Sequence, residues 1–298
     1  MKADWIAVDW GTSNLRAYAM SPEGALLAEA QSDAGMGSLK PAEFEAALLD
    51  LVGPWLGDGV TQVFACGMVG ARQGWVEAAY NTVPCPPLDP ARMTRVGSVD
   101  QRIAVRIIPG LRQTKPADVM RGEETQIAGY LAGHPEFDGV LCLPGTHCKW
   151  VWISAGEVVS FQTFMTGELF ALLSCQSVLR HSLNEPGLDE AEFLAALADT
   201  LSRPERFAAR LFSLRAEGLI AGLTPQAARA RLSAILIGAE LAAARPYWLG
   251  QAVVVIGAGS LAGLYAKALA AQGVDAAMVP ADGMTLAGLK AARALERN

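Results

Sequence analysis

The chain has 298 residues, 52% of them hydrophobic and 18% charged, with a formal net charge of −6. Such a composition excludes a disordered chain and suffices for one large domain or two of moderate size, and the acidic balance argues against nucleic acid as the main partner. No apolar run approaches the roughly 18 residues of a membrane span, and Asp9 interrupts the apolar stretch near the start, so neither a span nor a signal peptide is expected and the chain reads as cytoplasmic.

The opening segments "WIAVDW", "LRAYAM" and "GALLAEAQS" read as three short strands joined by the turns "GTSN" and "SPEG". An amphipathic helix follows in "PAEFEAALLDLVGPWL", with Pro41 at its start. "TQVFACG" and "IAVRIIPGL" are strands, and "RGEETQIAGYLAG" is a helix with acidic residues in its first turn. The pattern then recurs. "GVLCLPG", "CKWVWIS" and "EVVSFQT" are three more short strands, followed by the helix "TGELFALLSCQSVL". A helix-rich stretch covers about 189–246, and then come the strand "AVVVIG", the helix "SLAGLYAKALAAQG", the strand "AAMV" and the helix "DGMTLAGLKAARALE". Within the helix-rich stretch, "LSAILIGAELAAA" reads as core, with a homo-oligomer interface as the alternative.

The repeated element order predicts an α/β protein of two lobes, residues 1–136 and 137–298, each with a mixed five-stranded sheet. A cleft between the lobes is the expected ligand site. The five cysteines, at 66, 85, 142, 148 and 175, form no CxxC pair and read as reduced. His134, His147 and His181 lack the helical i, i+4 spacing of a zinc site.

Two turns occupy matching places between strands one and two of each half. They are Asp9-Trp10-Gly11-Thr12-Ser13 and Pro144-Gly145-Thr146-His147. A Gly-Thr turn lets backbone N–H groups and a hydroxyl converge on an anion. Asp9 repels phosphate but can hold Mg²⁺ beside it. A third glycine motif, Gly257-Ala258-Gly259-Ser260, joins a buried strand to a helix. It fits the start of a dinucleotide fingerprint, yet too little chain follows for a dinucleotide-binding sheet, and Val279-Pro280 stands where an acidic residue is needed. Close contact with an adenine ring is the better reading of these glycines.

Paired phosphate hairpins with a late strand-Gly-x-Gly-helix resemble the actin, hexokinase and Hsp70 superfamily of ATPases. More closely, "VDWGTSNLRAY", "GMVGARQGW", "MRGEETQIAGYL", "LPGTHCKWV", "FMTGELFALL" and "VIGAGSLAGLY", in order along nearly the whole chain, resemble the 2-dehydro-3-deoxygalactonokinase family. The resemblance implies a two-lobed ribonuclease H-like fold with ATP in the interlobe cleft. It also implies Mg²⁺-dependent transfer of the γ-phosphate to the 6-hydroxyl of 2-dehydro-3-deoxy-D-galactonate. Other superfamily kinases, or a non-catalytic nucleotide-binding regulator, are the alternatives. The second turn departs from an Asp-Gly-Gly-Thr pattern found in many superfamily members: it has no carboxylate, and His147 and Lys149 lie nearby instead.

The roles expected under this resemblance follow from what phosphoryl transfer needs: alignment, charge neutralisation and a base at the attacking hydroxyl. Gly11, Thr12 and Ser13, with Gly145 and Thr146, would take phosphate; Gly257, Ala258, Gly259 and Ser260 would cover adenine; Asp9 would hold Mg²⁺. In related sugar kinases an acidic residue opens the helix after the fifth strand, which makes Glu123 and Glu124 the base candidates, with Asp118 behind them. The substrate carboxylate invites a guanidinium. Arg72, with Gln73 and Trp75, lies on a Gly-rich loop, and Arg121 is the second choice. Thr166 reads as a helix N-cap with Glu168 in the first turn, or both as substrate contacts. Arg16 either clamps phosphate or supports the first hairpin.

Overall fold

Trp5–Trp10 is rich in aromatic and β-branched residues, and it is buried almost throughout, which suits a strand with neighbours on both sides. A computed structural model describes residues 2–297 and places this strand, β1, at the centre of a mixed sheet. Leu15–Met20 (β2) and Leu26–Ser32 (β3) continue it as antiparallel neighbours, and α1 (Phe44–Val52) follows. Thr61–Gly67 (β4) pairs parallel with β1 on its other side. Tyr80–Thr82 (β5), Thr94–Arg95 (β6), Ile103–Ile107 (β7), Gly110–Thr114 (β8) and Ala117–Met120 (β9) come next, then α2 (Glu123–Gly133). The first sheet has the order β3-β2-β1-β4-β7-β6. Five strands were expected; the two-residue β6 adds a sixth, antiparallel to β7. A separate three-stranded sheet, β5-β8-β9, was not anticipated. Its strands are short and carry no hydrophobic alternation long enough to read.

The second set of strands is β10 (Gly139–Leu143), β11 (Cys148–Ser154) and β12 (Glu157–Phe164). Helices α3 (Thr166–Cys175), α4 (Glu190–Ser202), α5 (Phe207–Ile220), α6 (Pro225–Ala243) and α7 (Arg245–Trp248) follow. The chain closes with β13 (Val253–Ile256), α8 (Gly259–Ala270), β14 (Ala277–Val279) and α9 (Ala281–Arg297). This sheet runs β12-β11-β10-β13-β14, with β13 parallel to both of its neighbours. With the two-residue edge strand β6 set aside, both sheets have the strand order 3-2-1-4-5 counted along their own chain segments, so the duplication seen in the element order extends to topology.

Two compact units result. One contains the chain up to Asp138, Ile153–Ser160 and the chain from Pro280 onward; the other contains Gly139–Trp152 and Phe161–Val279. The division is not one cut near residue 136, because α9 packs with the first unit. Gly129 of α2 and Gly288 of α9 let the two helices cross closely: a Cβ on Gly129 would stand 1.9 Å from the Met284 carbonyl oxygen, and one on Gly288 1.9 Å from that of Thr125. Helix periodicity identifies α9 but not the sheet it covers. The first unit's core lies between α1 and one sheet face, around Trp10, Phe44 and Val63; Trp5, Phe64 and Leu289 form the cluster under α9. The second unit's core surrounds Trp150, Phe193 and Tyr265, with a satellite under α5 and α6, so "LSAILIGAELAAA" is largely core. No helix among the described residues is long and apolar enough to cross a membrane.

Candidate active site

In open α/β sheets ligands bind beyond the carboxyl ends of the strands. In the first unit that edge carries Trp10 of β1 and Gly67 of β4, which are register partners. The hairpin after β1 closes with Gly11 N–H donating to Asn14 O at 2.9 Å. A turn at Gly35–Ser38, unnoticed in the sequence, braces it. Met36 N–H donates to Gly11 O (3.0 Å) and Gly37 N–H to Thr12 O (2.8 Å). A Cβ on Gly35 would stand 2.3 Å from the Ser13 carbonyl carbon, so only glycine allows this approach. Two of the hairpin's carbonyls are thus occupied from behind, while Thr12 and Ser13 remain exposed.

Asp9 lies on β1 with Arg16 and Cys66 as its cross-strand partners. Burial pushes its pKa up, the Arg16 charge opposes this, and Asp282 adds to it. Arg16 is ion-paired with Asp282 of α9 at 2.6 Å. The Cys66 thiol is held well above its ordinary pKa by burial first, then by the charges of Asp9 and Glu124.

Helix α2 starts at the same edge through two left-handed glycines. Gly67 has φ +91° and Gly122 φ +106°. A Cβ on Gly67 would stand 2.7 Å from Trp10 O, and one on Gly122 3.4 Å from Gly67 Cα. The first residues of α2 therefore sit close to the end of β1. Glu124 is 0% exposed; it accepts from Gly122 N–H (2.7 Å) and from the Thr125 hydroxyl (3.1 Å). Burial, and then the neighbouring Glu123, raise its pKa to about 8. Glu123 is half-buried, and its carboxylate accepts from Arg121 N–H at 3.1 Å. Asp118 lies instead on β9 of the small sheet, opposite Gln113.

The Gly-rich loop separates its three candidates. Arg72 is 80% exposed at its side chain, 3.4 Å from Glu77, and Gln73 is exposed. Trp75 packs inward, parallel to Phe44 (ring centroids 6.4 Å apart) and edge-on to Trp10 (6.1 Å). It anchors the loop in the core. Arg121 joins the loop from β9's end: Nη2 donates to Ala78 O (2.7 Å), and the guanidinium lies 4.3 Å from the Tyr80 ring centroid. Its Nε and Nη1 are buried without a hydrogen-bond partner among the described residues.

In the second unit the Pro144–His147 turn is backed by the start of α3. A Cβ on Gly167 would stand 2.2 Å from Gly145 O, and Glu168 N–H donates to Thr146 O at 3.0 Å. The carboxylate absent from the turn's own sequence arrives from this helix: Glu168 Oε2 lies 2.6 Å from His147 Nε2. Lys149 is 3% exposed on a strand flanked on both sides, and its Nζ donates to His147 O at 3.0 Å. Thr166 is not the N-cap; that position is Met165, and the Thr166 hydroxyl donates to Glu240.

The loop after β13 meets the same turn. A Cβ on Gly257 would lie 3.6 Å from Pro144 Cδ and 3.0 Å from Ala262 Cβ, and Gly259 takes φ +60° as α8 begins. A cavity of about 850 Å³ opens beside them. Gly145, Thr146, Thr166, Gly167 and Ser260 line its polar side; Phe170, Leu236, Ile237, Leu261 and Leu264 line its apolar side. Gly257, Ala258 and Gly259 are not in its lining. Glu240, which sequence reasoning missed, lies buried behind these walls. One acidic residue in an otherwise apolar helical stretch was its only signal.

A family model for 2-keto-3-deoxy-galactonokinase matches residues 9–292. The chain belongs to the 2-keto-3-deoxy-galactonokinase family. It is 39% identical over 295 residues to the probable 2-dehydro-3-deoxygalactonokinase DgoK1 of Rhizobium meliloti, covering 97% of this chain and 96% of the relative. It is 37% identical over 299 residues to the 2-dehydro-3-deoxygalactonokinase of Escherichia coli, covering 97% of each. A crystal structure from Sinorhizobium meliloti named for the same kinase is 38% identical and matches with a TM-score of 0.88, over 98% of this chain and 99% of that one. A kinase of this family uses ATP.

Proposed function

We propose that this member of the 2-keto-3-deoxy-galactonokinase family transfers the γ-phosphate of ATP to the 6-hydroxyl of 2-dehydro-3-deoxy-D-galactonate, giving the 6-phosphate and ADP. The observation that carries the reading is the family match over residues 9–292, which spans both Gly-Thr turns and the acidic start of α2.

In the second unit, the apolar side of the cavity suits a nucleoside, and Gly145, Thr146 and Ser260 offer backbone N–H groups and hydroxyls to its phosphates. In the first unit, Gly11, Thr12 and Ser13 form a turn with the same phosphate-receiving chemistry. Mg²⁺ is commonly held by one or two carboxylates together with phosphates and water, so a protein cage of three ligands is not required. Asp9 fits that part: burial disfavours its charge, and a divalent cation would offset that cost. When bound, the ion would neutralise charge on the phosphoryl oxygens.

Glu123 is the better general base because it is only half-buried, whereas the Glu124 carboxylate is enclosed and committed to Gly122 and Thr125. A base must come within hydrogen-bond reach of the hydroxyl it deprotonates. Glu124 then shapes the turn from which Glu123 projects. Arg121 is favoured over Arg72 for the substrate carboxylate. Its guanidinium is held in place by Tyr80 and Ala78 and keeps two donors without a partner among the described residues, while Arg72 is exposed to solvent and would lose more side-chain entropy on binding.

The deciding experiment measures Mg²⁺-dependent ADP release with the galacto and gluco 2-keto-3-deoxy acids side by side. Turnover that strongly favours the galacto acid is expected. ADP release with neither acid would overturn the assignment.

A further inference from the structure

Glu240 of α6 is 3% exposed and lies outside the cavity lining. Its carboxylate accepts hydrogen bonds from three separate elements. Oε1 takes the Trp150 indole N–H of β11 at 2.7 Å. Oε2 takes the Tyr265 hydroxyl of α8 at 2.7 Å and the Thr166 hydroxyl of α3. Three of the joined elements, α3, α6 and α8, supply part of the cavity, and β11 follows a turn that does. β11 follows the Gly145-Thr146 turn, α3 stands on that turn through Gly167 and carries Phe170, α8 carries Ser260 and Leu261, and α6 itself carries Leu236 and Ile237.

A buried carboxylate is costly unless its lone pairs are satisfied, and removing one partner leaves the others unpaired. A purely apolar packing of these four elements would avoid that cost. Keeping a charge there makes sense where the relative placement of the elements matters more than the stability they contribute, since fully satisfied polar networks specify one arrangement.

We propose that Glu240 is a positioning residue for the nucleotide, holding the Gly145-Thr146 turn and the start of α8 in the one arrangement that fits adenosine and phosphate at once. The inference rests on the reading of this cavity as the ATP site. Gln is close to isosteric: its carbonyl can accept from Trp150, and its amide can donate to the Thr166 and Tyr265 hydroxyls, which then act as acceptors. Ala leaves all of them without the carboxylate.

The test compares Glu240→Ala, Glu240→Gln, Thr166→Val and Tyr265→Phe. A non-hydrolysable ATP analogue is titrated into each by calorimetry, well below its melting temperature. Steady-state kinetics are measured in parallel. The expected result is a Kd for the analogue raised about 10- to 100-fold in Glu240→Ala, the range known for removing the groups that orient metal ligands. Rises of several-fold are expected in Thr166→Val and Tyr265→Phe, with affinity largely recovered in Glu240→Gln. At saturating ATP, kcat of the two Glu240 variants should stay within about threefold of the parent. Should Glu240→Ala not fold, the Thr166→Val and Tyr265→Phe variants decide, because each removes one polar arm and little volume. Unchanged analogue affinity with only a lowered melting temperature would overturn the proposal in favour of a structural role. Gly263→Trp, which fills the cavity from α8, separates the two claims. If it leaves analogue binding intact, the location of the ATP site is wrong. If it abolishes binding while the four variants bind normally, only the role of Glu240 is wrong.

Discussion

Gly167 lies so close to Gly145 that a Cβ on it would stand 2.2 Å from the Gly145 carbonyl oxygen. Gly35 stands in the same relation to Ser13 in the first unit, at 2.3 Å from the carbonyl carbon. Each proposed phosphate turn is thus pressed from behind by a glycine distant in sequence. Real Cβ atoms do not approach that closely, so alanine must displace the backbone it meets. Gly167→Ala is expected to weaken ATP binding at least about tenfold while the protein stays folded, with a stability loss of about 1–3 kcal/mol for overpacking. Calorimetric titration and a melting curve check both parts; unchanged affinity would show that the turn does not receive phosphate.

Glu123→Gln should lower kcat by roughly 10²–10⁴-fold, the usual contribution of a general base. Glu124→Gln, behind the same turn, should lower it by about tenfold or less. Single-turnover rates with both substrates saturating make the comparison. Near-normal turnover in both variants would remove α2 from the chemistry.

Glu124 also ties stability to pH. Its pKa is about 8 in the folded chain against an ordinary 4.5, so between those values the folded state holds a proton that the unfolded state has lost. Unfolding then becomes easier as pH rises. This group's contribution is fully present below pH 4.5 and is lost as pH climbs through about 8. Glu124→Gln keeps the neutral form at every pH. Its urea midpoint relative to the parent should therefore improve from pH 5 to pH 9, and an opposite slope would contradict the burial argument.

The two arginines should separate in kinetics. Arg121→Ala is expected to raise KM for the sugar acid by more than tenfold, since a charge-assisted hydrogen bond contributes roughly 1.5–3 kcal/mol. Arg72→Ala should change KM by less than about threefold, because its side chain is 80% exposed and held only by a long contact to Glu77. Equal effects would reopen the choice. Trp75→Ala, by contrast, should act on stability through the lost packing with Trp10 and Phe44 rather than on KM alone.

Much of the candidate site was legible because short sequence patterns carry local physics. Gly11-Thr12-Ser13 and Gly145-Thr146 announce turns by their residue types, and Glu123 and Glu124 announce a helix start by charge. Other features were hidden because they depend on partners far along the chain. The Gly35 brace is one residue in "DAGMGS" until it meets Ser13. Thr166 has the residue type of an N-cap, but its hydroxyl is drawn to a carboxylate 74 positions away. Trp75 packs against Trp10 and Phe44, partners that its own Gly-rich loop does not announce.

The sequence alone determined the element order, the repeat of that order in two halves, and the family, because hydrophobic periodicity and turn chemistry act over a few residues at a time. Only the tertiary structure decided that α9 packs on the first unit's sheet. It alone also decided that Glu168 brings a carboxylate to a turn lacking one, and that Glu240 joins β11, α3 and α8. Those contacts rest on close glycine approaches and on the pairing of buried polar groups. Both are set by which surfaces meet, and no stretch of adjacent residues encodes that by itself.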